Sequence, residues 1–204
     1  MLEFLVGSSL AAAAGLNAWM PLFALGLLDR LLPGFALPNA WSWLSGDVAL
    51  WIIGTLLVVE IVADKIPAVD SVNDVIQTVV RPASGGIAFG AGVGAQEVAD
   101  PARLFADGTW VPVMIGVVIA LLVHLAKAAI RPVANMATAG LAAPALSTAE
   151  DVSSLALALA AILAPVIAGV LLVGLAVAAV VLLRRRRRSQ TRPQGVGLRE
   201  RGPD

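Results

Sequence analysis

The sequence predicts an all-α, polytopic helical membrane protein, on three observations. Hydrophobic residues make up 59% of the 204 and charged residues only 14%, with a mean hydropathy of +0.89, whereas soluble chains carry about 25% charged residues. The apolar residues gather into runs near the ~20 residues that a helix needs to cross a ~30 Å hydrocarbon core. Pro, Gly and charged residues fall mostly at the ends of those runs. The expected architecture is about five transmembrane helices with a short amphipathic or re-entrant helix.

A formal net charge of zero conceals an uneven distribution. Residues 184–204 hold eight Arg against two acids, which leaves six Lys or Arg and twelve Asp or Glu in residues 1–183. The chain therefore divides into a helical transmembrane domain, 1–183, and a basic tail, 184–204, expected to be disordered and cytoplasmic. There is no Cys and one His, His124, which argues against a disulfide framework and a zinc site. No metal and no cofactor are expected.

The first apolar run, Phe4 to Leu28, lacks the basic flank of a secretory signal and reads as a retained span. Gly7, Ser8, Ser9, Ala12 and Gly15 make it suited to close helix packing. Residues 31–47, with Pro33, Gly34, Pro38, Trp41 and Trp43, read as an interfacial loop. The second span starts near Val48, but only 12 residues separate it from Glu60, so either the charges that follow lie partly inside the membrane or the helix is aided by water and partners. Glu60 and Asp64, four apart, share a helix face.

Pro67 should stop that helix, and Asp70 should cap the next. Val72, Val75, Ile76, Val79 and Val80 then predict a short amphipathic helix over 71–81, ending at Arg81-Pro82. The glycine-rich residues 84–97 either cross or re-enter the membrane. A polar connection, Asp100 to Gly108, precedes a span from Val111 to about Ile130, whose end carries His124, Lys127 and Arg131 at i, i+3 and i+7. A loop is expected over Val133 to Thr148, with Ser147 and Glu150 forming a capping box for the last helix. That helix, uncharged from Val152 to Leu183, is too long for one bilayer and should tilt, kink at Pro165 or project.

Five spans with the tail inside put Lys65, Arg81, Lys127 and Arg131 on the outer side, against the positive-inside rule. Either the span count is wrong or these residues are buried partners rather than topology signals, and the acids close to them in sequence favour the second. The segment from Val58 to Lys65 can also be laid over Leu122 to Lys127, each followed by an Arg-Pro, which suggests two repeated helix pairs plus a terminal helix.

Glu60-Ile-Val-Ala-Asp64-Lys65-Ile-Pro67-Ala-Val-Asp70, then Asp74, Arg81-Pro82 and Gly85-Gly86, and later His124, Lys127, Arg131 and Ser147-x-x-Glu150-Asp151, resemble a bacterial membrane family known as domain of unknown function 4126. The resemblance spans roughly residues 7–180. It implies a small multi-pass membrane protein and no established activity, so it assigns no catalytic residue.

Ionisable groups at the bilayer centre cost about 2.5–3.5 kcal/mol each on insertion scales, so they are expected to pair. Glu60, Asp64, Lys65, Arg81, His124, Lys127 and Arg131 are the candidate pathway for a substrate or ion, which makes a small transporter or channel for a polar or ionic solute the leading reading. The alternative is a non-transporting scaffold or assembly factor, with the charges as internal ion pairs. A lipid-handling enzyme is weaker, since no nucleophile and base stand at a recognisable spacing. The expected partners are the bilayer of the cell inner membrane and a small solute or ion. Nucleic acid is not expected, and homo-oligomerisation stays open.

Overall fold

The computed structural model describes residues 1–93, 110–138 and 142–190. The described residues form seven α-helices and no strand. These are α1 (Leu2–Leu16), α2 (Met20–Leu31), α3 (Asp47–Ala63), α4 (Pro67–Val93), α5 (Trp110–Ala137), α6 (Ala142–Leu163) and α7 (Pro165–Gln190), with a 3-10 turn at Ser42–Ser45 before α3. Each helix runs antiparallel to the one before it. The pairs Ala18–Glu60 and Arg30–Asp47 fix this for α2 and α3, Arg81–His124 fixes it for α4 and α5, and Arg131–Glu150 for α5 and α6.

The centre of the bundle is α1, in which every residue from Gly7 to Leu16 is buried. It is surrounded by α4, α5, α6 and α7. Small residues bring these helices together. The Cα of Gly116 lies against the backbone carbonyl of Gly85, and a Cβ at either glycine would collide with the other helix. Large aliphatic side chains point outward instead: Val72, Val75, Ile76 and Val79 on α4, and Val170, Val173, Val177 and Leu182 on α7, are exposed. Two stretches, Trp110–Pro132 and Ala142–Leu163, are long and apolar enough to cross a membrane, and Leu2–Leu16 and Ile167–Leu182 are apolar but shorter.

Several expectations from the sequence are corrected. The Phe4–Leu28 run is not one span but α1 and α2, folded into a hairpin at residues 17–19. Asn17 makes the break, because its Oδ1 accepts from the N–H groups of Trp19 and Met20 and so caps α2. This local bonding by Asn competes with helix continuation. The short helix over 71–81 and the glycine-rich segment are parts of one continuous helix, α4, with Pro82 inside it. An interior proline costs about 3 kcal/mol, which the packing of α4 on α1 and α5 outweighs. Because α4 begins at Pro67, a favoured first helical position for proline, Asp70 lies within the helix rather than capping it.

Similarly, α5 continues past Pro132 to Ala137 and α6 begins at Ala142, so residues 133–137 and 142–148 of the expected loop are helical. Ser147 and Glu150 then sit inside α6 and form no capping box. The last apolar run divides at Ala164, where Pro165 lacks an N–H, and α7 folds back beside α6. Its final turns include Arg184 to Gln190, so residues 184–190 of the tail are helical where disorder was expected. Residues 191–204, Asp100 to Gly108 and Gly94 to Glu97 lie outside the described residues. The repeat of helix pairs is not reproduced, since α3 stops at Ala63 soon after Glu60 whereas α5 runs on well beyond His124.

Candidate functional site

The break between α1 and α2 leaves backbone groups without helical partners deep in the bundle. At the end of α1 these are the carbonyls of Gly15 and Leu16; at the start of α2, the N–H of Ala18. Charged side chains meet them. Lys127 Nζ donates to the Leu16 carbonyl at 3.2 Å, and Arg81 Nη1 reaches the Gly15 carbonyl at 3.4 Å. On the other side of the break, the Ala18 N–H donates to Glu60 Oε2 at 3.1 Å. Cations thus lie at a helix C-terminus and a carboxylate at a helix N-terminus, each at the pole that favours it.

The side chains also pair with one another. Arg81 is wholly buried, and its Nη2 lies 2.9 Å from Glu60 Oε1 and 3.3 Å from Asp64 Oδ2. Asp64 Oδ2 also lies 3.2 Å from Lys127 Nζ and 3.4 Å from Arg131 Nη2, while its Oδ1 accepts from Asn73 at 2.7 Å. Glu150 bridges Lys127 and Arg131 at 2.9 and 2.5 Å. At the rim, Lys65 pairs with Asp151 at 3.1 Å, and Asp151 in turn accepts from Asn17 Nδ2 at 3.0 Å. Four acids and four bases from α3, α4, α5 and α6, with Asp64 and Lys65 just past the end of α3, therefore balance around the break.

His124 joins the network through Arg81. Its Nδ1 lies 3.4 Å from Arg81 Nη1, and its Nε2 lies 3.1 Å from Thr78 Oγ1. Thr78 donates its own hydroxyl proton to the Asp74 carbonyl, so it accepts from His124. Arg81 can only donate. Both contacts are satisfied by a neutral imidazole protonated at Nε2, an assignment made from the hydrogen-bond pattern.

All seven residues singled out in the sequence, Glu60, Asp64, Lys65, Arg81, His124, Lys127 and Arg131, come together here. The four cations that seemed to break the positive-inside rule each have an acidic partner. Sequence reasoning missed Asn17, the Ala18 N–H, Asn73 and Thr78, and it read Glu150 as a cap. An Asn followed by a Pro four residues on, within an otherwise apolar run, was the available signal for the break. Among the described residues, no group of His, Asp and Glu has the arrangement to hold a metal ion.

The model of the family described as "Domain of unknown function (DUF4126)" matches residues 4–185, nearly all of the helical body. The chain belongs to the DUF4126 family. The match covers every helix that contributes to the network, and the family description carries no activity. No curated protein and no solved structure matches the chain.

Proposed function

We propose that the protein is a polytopic membrane protein that binds and moves a small polar or ionic solute, with the charge network at the α1–α2 break as its site. One observation carries the proposal. Glu60, Asp64, Asp151, Arg81, Lys127 and Arg131 are buried around the open backbone ends at the α1–α2 break, with Lys65 and Glu150 pairing at their edge, inside a body whose outer surface is apolar. Apolar residues of similar volume would hold the helices at equal or greater stability, so packing alone gives little reason for these charges. Ionisable residues at membrane depth mark solute paths, and discontinuous helices supply the backbone groups at many transporter sites.

The surface supports this membrane placement. Trp43, Trp51 and Trp110 are exposed at the end of the bundle away from the network, as in an interfacial aromatic belt. Along α5, Trp110 and Lys127 are separated by about 26 Å at 1.5 Å per residue. The network therefore sits toward the far side of a ~30 Å hydrocarbon core, at the end from which Arg184 emerges. With that end cytoplasmic in the inner membrane, Lys65, Lys127 and Arg131 lie on the side that the positive-inside rule favours.

The pairing at Lys127 favours a second reading, in which the network is a structural clasp of a scaffold: all three of its donors have partners. Flux of protons, alkali cations and phosphate into proteoliposomes, measured beside thermal unfolding in detergent, separates the two. Transport predicts that Glu60→Gln and Asp64→Asn abolish a flux seen with the parent chain under conditions where the variants remain folded. Unchanged flux in both folded variants overturns transport through this site, and loss of folding without any parental flux supports the clasp.

A further inference from the structure

A groove of about 350 Å³ runs between α5, α6 and α7. Its volume lies within the ~300–1,000 Å³ range of small-molecule sites. Leu122, Ala126 and Ile130 form one wall, and Leu172, Ala179 and Leu182 another. Its polar groups are Lys127, Glu150 and Ser153, so its floor is the outer side of the charge network. Between Leu172 and Leu182 the groove extends about 15 Å along α7 at 1.5 Å per residue. That is about half of a ~30 Å hydrocarbon core, the depth of one leaflet.

The end of the groove at Leu182 is followed on the same helix by exposed Arg184 and by Arg185 to Arg188. An apolar slot one leaflet deep, with cations at its interfacial end, complements an acyl chain carrying an anionic head group. Juxtamembrane arginines attract anionic lipid head groups. A second groove, between α2 and α3, ends at Arg30 and Asp47, which pair at 2.5 Å and leave no net charge for an anion.

We propose that the α5–α6–α7 groove holds an acyl chain of an anionic phospholipid from the tail-side leaflet, with its phosphate at Arg184. The bound chain covers Lys127 and Glu150 and closes the network on its lipid side. The inference rests on the chain spanning the bilayer and does not require transport.

The test is the melting temperature of the purified full chain in detergent, with phosphatidylglycerol or phosphatidylcholine added at equal mole fraction. The expected result is a rise several degrees larger with phosphatidylglycerol. Ala179→Trp, which fills the groove, should remove that difference, and replacing Arg184 to Arg188 by Gln should remove most of it. Equal shifts for the two lipids in the parent chain overturn the proposal, as does a full phosphatidylglycerol advantage in the Ala179→Trp variant. Should that variant not fold, an undiminished advantage in the Gln variant overturns it. Absence of flux in proteoliposomes leaves the lipid site standing, whereas release of the parent chain from vesicles by carbonate removes the membrane reading and the site together.

Discussion

Asp64 and Arg81 occupy different positions from Lys65 although all three belong to one network, and burial decides what each contributes. Arg81 has no exposed surface and faces two carboxylates. Arg81→Met leaves Glu60 and Asp64 buried with one cation fewer, a change that costs about 3–5 kcal/mol when a buried pair loses a partner. Asp64→Asn leaves Arg81, Lys127 and Arg131 sharing fewer acids and belongs in the same range. Lys65 retains 35% side-chain exposure beside Asp151, and pairs of that kind contribute about 0–1 kcal/mol. Lys65→Met is therefore expected to cost about 1 kcal/mol or less. Denaturation of the three variants in a matched detergent checks the order; Lys65→Met as costly as Arg81→Met would contradict it. Asn17→Ala removes both the α2 cap and the donor to Asp151, and a cap alone is worth about 1 kcal/mol, so its expected cost, about 2 kcal/mol, falls between the two.

The helices show how far local sequence carried. Charged residues in apolar surroundings must find partners, which is why Glu60, Asp64, Lys65, Arg81, Lys127 and Arg131 were legible in the sequence, whereas Glu150, at the edge of an apolar run, read as a cap. The start of α3 was also legible, because a Gly-Asp boundary precedes an unbroken apolar run. Helix continuity was not. Pro82 and Pro132 look like stops, yet both lie inside helices, since one lost hydrogen bond is small beside two packed faces. Asn17 reads as one polar residue in a span, yet it ends a helix, because its side chain competes with the backbone and the freed N–H of Ala18 is taken up by Glu60, a carboxylate 42 positions from Ala18. Long-range partners of this kind have no local signature. The seam between α4 and α5 depends on Gly85 and Gly116, where each helix meets the backbone of the other. Gly116→Val should force the helices apart and cost at least the ~1–3 kcal/mol of an overpacked core, and it should shift Arg81 away from His124. Gly174, beside which no atom stands within 4 Å, is the control: Gly174→Val should leave the melting temperature within a degree or two.

Orientation belongs to the whole molecule, and here the seven-helix layout and a five-span reading make opposite statements. Five spans place the segment around Lys65 and the end of α5 across the membrane from the tail. Seven antiparallel helices place the α3–α4 turn, the α5–α6 turn and the end of α7 on one side, with the 3-10 turn at Ser42–Ser45 on the other. The sequence contains no Cys, so single cysteines report without background. Ile66, Met136 and Trp43 are suitable sites because each side chain is exposed and none belongs to the network. In vesicles of uniform orientation, cysteines at 66 and 136 should react with an impermeant maleimide from the same side as a cysteine placed at the tail, and a cysteine at 43 only from the opposite side. Reaction at 66 and 43 from one side would overturn the antiparallel arrangement as a membrane topology. The expected pattern also fits the charge distribution: among the described residues, Arg30 is the one Lys or Arg at the Trp43 end, and it is neutralised by Asp47, while the remaining cations gather at the tail end where cytoplasmic placement favours them.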